Sequence, residues 1–167
     1  FLETWGAGVL TRPHGITIDA EDNLYLADDD AHVVEKRTKE GELIFRLGEQ
    51  GKPAAWQQGD PFNRPTNTAV NPETGDLFIS DGYGNSRVHK YDTDGKYIKS
   101  WGQSGSLEGQ FSLPHNIVMK GTDKITVADR ENFRLQTFTT DGEFVKQIHM
   151  HRPMALTDGK GDDKNLY

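Results

Sequence analysis

Two Pro-His pairs, ending at His14 and His115, are the positions of this sequence best suited to metal chemistry. Each pair opens an alternating apolar run, and the same phrase returns with threonine at Thr66 and with methionine at Met154. Three imidazole ligands with an open fourth position form a catalytic zinc site, in which each Zn–N distance is about 2.0–2.1 Å. A lone histidine at a strand start is more often a polar residue bonded to nearby backbone. Because two histidines occupy equivalent positions in a repeat, a shared metal role stays open beside that reading.

Two loops that align inside the repeat carry unmatched residues, Tyr83 in "DGYGNSR" and Arg130 in "DRENFR". The aspartates of these loops recur as Asp28, Asp81 and Asp129, which indicates a structural task such as a turn or a link between neighbours. Tyr83 and Arg130 occur once each, so the repeat does not require them and they are candidate functional residues. A phenol has a pKa of about 10 and acts as a base only with help from a nearby cation. A tyrosine that packs on a loop is the alternative.

The elements that must position these residues become visible when the chain is aligned with itself. Complete copies cover residues 12–48, 64–102 and 113–148, and the period of about 40–50 residues is that of propeller blades. Each copy splits into four short alternating runs separated by turn residues, which is typical of half-buried strands. We therefore predict an all-β fold of the β-propeller class, with about three complete four-stranded blades in one segment. Residues 1–6 are expected to be the last strand of a preceding blade, and residues 152–167 the start of a further one.

In a four-stranded antiparallel blade, the start of the innermost strand and the loop between the second and third strands emerge on the same face. The two histidines should therefore lie around one opening with Tyr83 and Arg130. Trp56, in the long connection before the second complete copy, should reach this face, where it either walls a substrate pocket or pins a glycine-rich loop. Thr66 and Met154, which occupy the histidine position in their copies, are further candidates for lining that pocket.

Composition narrows the possible partners. The chain has 167 residues, of which 34% are hydrophobic and 18 are glycine, with no cysteine and a net charge of −7. The acidic balance disfavours a nucleic-acid partner, and no apolar run approaches the roughly 20 residues of a membrane span. No signal peptide is visible, and the lack of cysteine leaves the compartment open. Open strand edges at both ends are expected to pair with the rest of a propeller ring or with another chain.

The phrases "GQFSLPHNIV", "SDGYGNSR" and "VADRENFRLQTF" resemble the NHL repeat, and nearly the whole chain is similar to the peptidyl-α-hydroxyglycine α-amidating lyases. The resemblance implies a six-bladed propeller of which this chain is part, and a secreted or periplasmic location. It implies a lyase that takes a small peptide or small-molecule substrate. The reaction implied is the cleavage of peptidyl-α-hydroxyglycine to a peptide amide and glyoxylate. Alternate blades of such a ring lie about 120° apart, so His14, His115 and a third histidine beyond Tyr167 would converge on one zinc ion.

Individual roles follow from the same resemblance. Tyr83 matches the residue that acts as catalytic base, and Arg130 matches an arginine that lies near the site and would steady developing negative charge. A structural calcium ion would be bound in the channel partly by the backbone carbonyl of Ile16. The chain departs from the family at Gly84, where the animal enzymes carry a disulfide cysteine. It also lacks a counterpart of a second arginine that the family supplies from an earlier blade.

Two other functions are open at this point. A non-catalytic NHL propeller would bind a protein, peptide or glycan on the face that carries Trp56, Tyr83 and Phe133. Another six-bladed metal-dependent hydrolase or lyase, such as a lactonase-like enzyme, would hold calcium with Glu, Asn and Asp, and no such set is evident in the sequence. The acidic run at residues 28–30 does not supply it, because three consecutive carboxylates cannot all face one ion. That run is expected to be a solvated turn.

Overall fold

Three four-stranded antiparallel sheets make up the chain in a computed structural model, which describes residues 4–59 and 61–157. The strands follow chain order in every sheet, so each sheet is a meander. The first blade consists of β1 (Pro13–Ile18), β2 (Leu24–Asp28), β3 (Val33–Arg37) and β4 (Leu43–Leu47). The second blade consists of β5 (Pro65–Val70), β6 (Leu77–Asp81), β7 (Arg87–Tyr91) and β8 (Tyr97–Trp101). The third blade consists of β9 (Pro114–Lys120), β10 (Lys124–Asp129), β11 (Arg134–Thr139) and β12 (Phe144–His149). Within the described ranges, helix is limited to one 3₁₀ turn at Arg130–Asn132. The predicted all-β architecture of four-stranded blades is confirmed.

Strand β6 shows why these sequences form blades. All five of its residues are buried, because the second blade is covered on both faces. Leu77 and Ile79 belong to an apolar cluster shared with the first blade, whereas Phe78 between them belongs to a cluster shared with the third. Successive side chains of a strand point to opposite faces of the sheet. An alternating sequence can therefore serve two neighbours at once.

The apolar clusters lie between the blades. One joins the first and second blades through Tyr25, Ala27, Val34, Phe62, Leu77 and Ile79. The other joins the second and third blades through Ala69, Phe78, Val88, Phe111, Ile117, Ile125, Val127 and Phe138. Burying one large apolar side chain contributes about 1.5–3 kcal/mol relative to its exposure. Packing between blades therefore stabilises the arrangement in which the first strands β1, β5 and β9 lie side by side.

The recurring aspartates fix where each innermost strand begins. Each carboxylate is buried and accepts a hydrogen bond from a backbone N–H that lies two residues before the proline opening its own blade. The pairs are Asp28 with Thr11 at 2.6 Å, Asp81 with Asn63 at 3.2 Å and Asp129 with Ser112 at 2.7 Å. This contact agrees with the structural task expected from recurrence. It also sets the position of the residue after each proline, which is His14, Thr66 or His115.

The acidic run at residues 28–30 is not the solvated turn that its sequence suggests. Asp28 and Asp29 are each 1% exposed. Backbone N–H groups surround Asp28, and arginine side chains surround Asp29. A carboxylate is buried where hydrogen bonds and opposite charges offset its lost hydration. Only Asp30 of this run is substantially exposed to solvent.

The structure describes only part of the two predicted flanking segments. Residues 4–6 and 152–157 form no strand, and the rest of the two predicted segments, 1–3 and 158–167, lies outside the described residues. The proposed boundaries of flanking blades therefore stay predictions. As for membrane insertion, the part of the chain that the structure describes contains no helix with the length and apolar character needed to span a bilayer.

Candidate active site

His14 and His115 meet at the hydroxyl group of Tyr83. His14 Nε2 lies 3.1 Å from Tyr83 Oη, and His115 Nε2 lies 3.2 Å from the same atom. The two imidazole centroids are 4.9 Å apart, and the rings are inclined by 74°. Strands β1 and β9 bring the histidines from the first and third blades, and the loop after β6 brings Tyr83 from the blade between them. Three candidates named from the sequence therefore lie together.

A backbone carbonyl holds the second nitrogen of each imidazole. His14 Nδ1 lies 2.8 Å from the Thr66 oxygen, and His115 Nδ1 lies 2.7 Å from the Met154 oxygen. Since a carbonyl oxygen only accepts hydrogen bonds, each Nδ1 carries a proton, and a neutral ring then directs its Nε2 lone pair at Tyr83 Oη. The tyrosine hydroxyl has one proton and donates to only one of these lone pairs. The other lone pair receives no proton from Tyr83.

His115 is held in the form that binds metals. Burial of the ring lowers the pKa of His115 below its ordinary value, and this effect outweighs the opposing hydrogen bond to the Met154 carbonyl. The charge of Arg130 lowers the pKa of His115 further. Neutral imidazole is the form that coordinates a metal ion. His115 therefore offers an available Nε2 lone pair at neutral pH.

The donors at this centre fit two nitrogen positions of a zinc site. Zinc-bound histidines usually donate the other ring N–H to a carbonyl or carboxylate, which fixes the tautomer and the ring orientation. His14 and His115 both do so. Over residues 4–59 and 61–157, no three or more His, Cys, Asp or Glu side chains are grouped to hold a metal ion. The third histidine beyond Tyr167 and the calcium contact at the Ile16 carbonyl stay predictions.

Two arginine side chains flank the ring of Tyr83. The guanidinium carbon of Arg64 lies 4.5 Å from the ring centroid, and that of Arg130 lies 5.9 Å from it. A guanidinium group over an aromatic face is attracted by the ring quadrupole. Sequence reasoning singled out Arg130 and missed Arg64, because Arg-Pro recurs and looks like part of the repeat. The third blade has Leu113 at the equivalent position, which shows that the repeat does not require an arginine there. This difference is the signal that could have found Arg64.

A buried carboxylate connects Arg64 to the first blade. Asp29 Oδ2 accepts hydrogen bonds from Arg12 Nη2 at 2.6 Å and from Arg64 Nη2 at 3.0 Å. Burial by itself raises the pKa of Asp29, but the hydrogen bonds from the two arginines lower it to a net value below the ordinary one. Asp29 is therefore ionised at neutral pH. It ties the loop after β2 to the segment before β5.

Glycines allow the backbone to approach closely around the centre. A Cβ atom at Gly15 would lie 2.6 Å from the Thr66 carbonyl oxygen, which is the atom that holds His14. A Cβ atom at Gly84 would lie 2.6 Å from the Asn63 Cβ. The Gly84 N–H donates to the Asn63 carbonyl at 2.8 Å. Gly84, where the family resemblance breaks down, thus packs against a segment that would have to move to admit a side chain.

Thr66 and Met154, both expected to line a substrate pocket, differ from each other in exposure. The Thr66 side chain is fully buried and its hydroxyl donates to the Pro114 carbonyl at 2.8 Å, so it cannot line a pocket. Its contribution is the backbone carbonyl that orients His14. Met154 also orients a histidine through its carbonyl, but its side chain is 56% exposed and is free to contact a ligand.

Trp56 lies beside the tyrosine loop. The N–H of the next residue, Gln57, donates to the Gly84 carbonyl at 3.0 Å, which brings the long connection against the loop that carries Tyr83. The Trp56 side chain is 69% exposed. An indole that pins a loop would be largely buried, so this exposure favours the wall of an open site. That role stays a prediction.

The family model described as the NHL repeat matches residues 62–91, which include the first three strands of the second blade. The chain folds as β-propeller blades, and its second blade contains the matched NHL repeat. A virginiamycin B lyase from Staphylococcus aureus has a similar fold, with a TM-score of 0.66 at 16% identity. The similarity covers 92% of this chain and 47% of that one, and at this identity it shows the fold alone.

The chain also resembles the amidating lyases in sequence. It is 41% identical over 156 residues to the peptidyl-glycine alpha-amidating monooxygenase of Mus musculus, a match that covers 88% of this chain and 16% of that protein. It is 37% identical over 158 residues to the peptidyl-alpha-hydroxyglycine alpha-amidating lyase 1 of Drosophila melanogaster, covering 87% of this chain and 28% of that protein. The chain thus spans less than a third of either relative.

Proposed function

We propose that this NHL propeller chain carries part of the active site of a zinc-dependent lyase, which cleaves peptidyl-α-hydroxyglycine to a peptide amide and glyoxylate. The observation that carries the proposal is the meeting of two imidazole Nε2 atoms at one phenol oxygen, at 3.1 and 3.2 Å. The resemblance to proteins named for peptide amidation supports this reaction over the other reactions that propellers host.

His14 and His115 hold zinc through Nε2, since their Nδ1 atoms are committed to backbone carbonyls. When bound, zinc supplies a Lewis acid toward the substrate hydroxyl. A structural calcium ion at the Ile16 carbonyl is a further expectation of the family resemblance. It has no part in the residue chemistry described next.

Tyr83 Oη is the proton acceptor of the proposed reaction. Tyr83 Oη takes the proton of the substrate hydroxyl as it gives up its own proton, and the electron pair of the substrate O–H bond forms the carbonyl of glyoxylate. The C–N bond breaks, and the departing amide nitrogen receives the proton from Tyr83, so atoms and charges balance. Arg130, with its guanidinium 5.9 Å from the tyrosine ring centroid, stabilises the negative charge that develops in this step.

Glyoxylate release from a peptide that ends in α-hydroxyglycine tests the proposal. Tyr83→Phe removes one hydroxyl group and is expected to lower kcat by about 10²–10⁴-fold. The matched control is Tyr97→Phe, because Tyr97 is an exposed tyrosine on the outer strand β8. The proposal fails if the zinc-loaded protein, assayed with the whole propeller to which this chain is proposed to belong, releases no glyoxylate above the uncatalysed rate. It also fails if Tyr83→Phe matches the wild-type kcat.

A further inference from the structure

We propose that Arg64 binds the carboxylate group of the substrate and thereby determines specificity for a free C-terminus. This inference rests on the proposed function, since peptidyl-α-hydroxyglycine carries its carboxylate on the same carbon as the reacting hydroxyl. With that hydroxyl at Tyr83 Oη, the carboxylate carbon is two bonds from the hydroxyl oxygen and must lie beside the tyrosine. The Arg64 guanidinium lies over the ring of this tyrosine, with its carbon 4.5 Å from the ring centroid.

Arg64 has a hydrogen-bond donor that no described residue satisfies. Its Nε is buried and has no hydrogen-bond partner, and the Asp30 Oδ1 atom is 4.0 Å away. The other buried atoms of this kind in the described ranges belong to Asn67 and Trp101, which are uncharged. A buried donor on a cation gains most from an anionic acceptor, because hydrogen bonds between charged groups are the strongest ones.

The guanidinium group of Arg64 is fixed before a ligand arrives. Asp29 holds Nη2 at 3.0 Å, and the Arg64 backbone N–H donates to His32 Nδ1 at 3.1 Å. The Arg64 carbonyl in turn accepts the Tyr83 N–H at 3.4 Å, which couples the arginine to the catalytic tyrosine. The side chain is nevertheless 36% exposed, so a ligand can reach it. A fixed group loses little conformational entropy on binding.

Arg130 is less suited to this task. Its Nε donates to Glu131 at 2.8 Å, and Glu131 also pairs with Arg152 at 2.6 Å. An incoming carboxylate would have to compete with the Glu131 carboxylate. Near Arg64 the exposed carboxylate of Asp30 is paired with Arg12 at 3.0 Å, which reduces its repulsion of a substrate anion. Nε itself is buried, and Nη2 is held by Asp29, so the substrate carboxylate meets Arg64 at Nη1, which no described residue occupies.

Steady-state kinetics on two substrates test the inference. For a peptide ending in α-hydroxyglycine, Arg64→Met is expected to raise KM by about 10–100-fold with a smaller change in kcat, the size of losing a hydrogen bond between charged groups. For the methyl ester of the same peptide, KM should change by less than about threefold. Arg64→Lys keeps the charge without the planar fork and should recover part of the loss. Lys39→Met, in an exposed turn of the first blade, is the control for removing a surface cation.

A binding measurement separates failure of this inference from failure of the proposed reaction. Calorimetry with an unreactive peptide ending in ordinary glycine, and with its C-terminal amide, needs no turnover. The wild type should prefer the free acid by about 10-fold or more, and Arg64→Met should lose that preference. If the wild type shows this preference but releases no glyoxylate, the proposed reaction is refuted and the carboxylate site is supported. Equal binding of both peptides by the wild type, or a preference that survives in Arg64→Met, overturns the inference.

Discussion

Replacing Asp29 by asparagine removes the negative charge that joins Arg12 to Arg64. Asp29 is 1% exposed and accepts hydrogen bonds from the two arginines at 2.6 and 3.0 Å. Removing one partner from a fully buried ion pair costs about 3–5 kcal/mol. Here the arginine side chains are 47% and 36% exposed, so water rehydrates their charges. We expect Asp29→Asn to lower the free energy of unfolding at pH 7 by about 1.5–3 kcal/mol, the range for hydrogen bonds to charged groups.

The stability difference between the wild type and Asp29→Asn should shrink in acid. Burial raises the pKa of Asp29, but hydrogen bonds from Arg12 and Arg64 bring it below its ordinary value. A carboxylate whose pKa is depressed by folding stabilises the protein above its unfolded pKa of about 3.9. That contribution is lost as the pH falls through the folded-state pKa. The difference should therefore be constant between about pH 5 and pH 7 and decrease below about pH 4.

Urea unfolding followed by tryptophan fluorescence at several pH values measures this difference. Asp94→Asn is the matched control, because Asp94 lies in the exposed turn between β7 and β8. It should stay within about 0.5 kcal/mol of the wild type. A loss under about 0.5 kcal/mol for Asp29→Asn at pH 7, or a loss that is unchanged in acid, would refute the role assigned to Asp29.

Three further predictions concern the metal ligands and the packing. His14→Ala and His115→Ala should each lower zinc affinity by more than about 10-fold in a competition titration. The exposed His149→Ala is the control, and equal affinity in all three variants would contradict the ligand assignment. Phe78→Ala should lower the free energy of unfolding by about 3–5 kcal/mol in urea, because its ring is fully buried between blades. Gly15→Ala should weaken zinc binding, since its Cβ would displace the carbonyl that holds a histidine; unchanged affinity would show that the close approach is dispensable.

The blades could be predicted from the sequence because their cause is local. Alternation of apolar residues with a period of two, interrupted by turn residues, specifies each strand whatever lies beside it. The repeat then supplies the long-range order, since equivalent segments take equivalent places. For this reason the second of the four alternating runs in the middle copy is observed as a strand, β6 at Leu77–Asp81. The same equivalence places His14 and His115 on one face with Tyr83.

The surroundings of the tyrosine could not be predicted in the same way. Asp29 looks solvated in the sequence because its neighbours are acidic, and its burial depends on arginines 17 and 35 residues away. Thr66 looks like a pocket residue because it replaces a histidine, yet its small side chain is covered by the strand that begins at Pro114. Contacts between blades decide both cases. A repeat pattern describes what blades share and carries no information about such single pairings.

The aspartate that anchors the start of each innermost strand separates architecture from chemistry. The anchor acts on backbone N–H groups two residues ahead of the proline, so it tolerates any side chain at the position that follows the proline. Histidine, threonine and histidine occupy that position in successive blades without altering the anchor. Each blade therefore presents the position after the proline with the same backbone geometry. A reactive side chain can be introduced, removed or exchanged at this position in one blade while the anchors of the other blades stay intact.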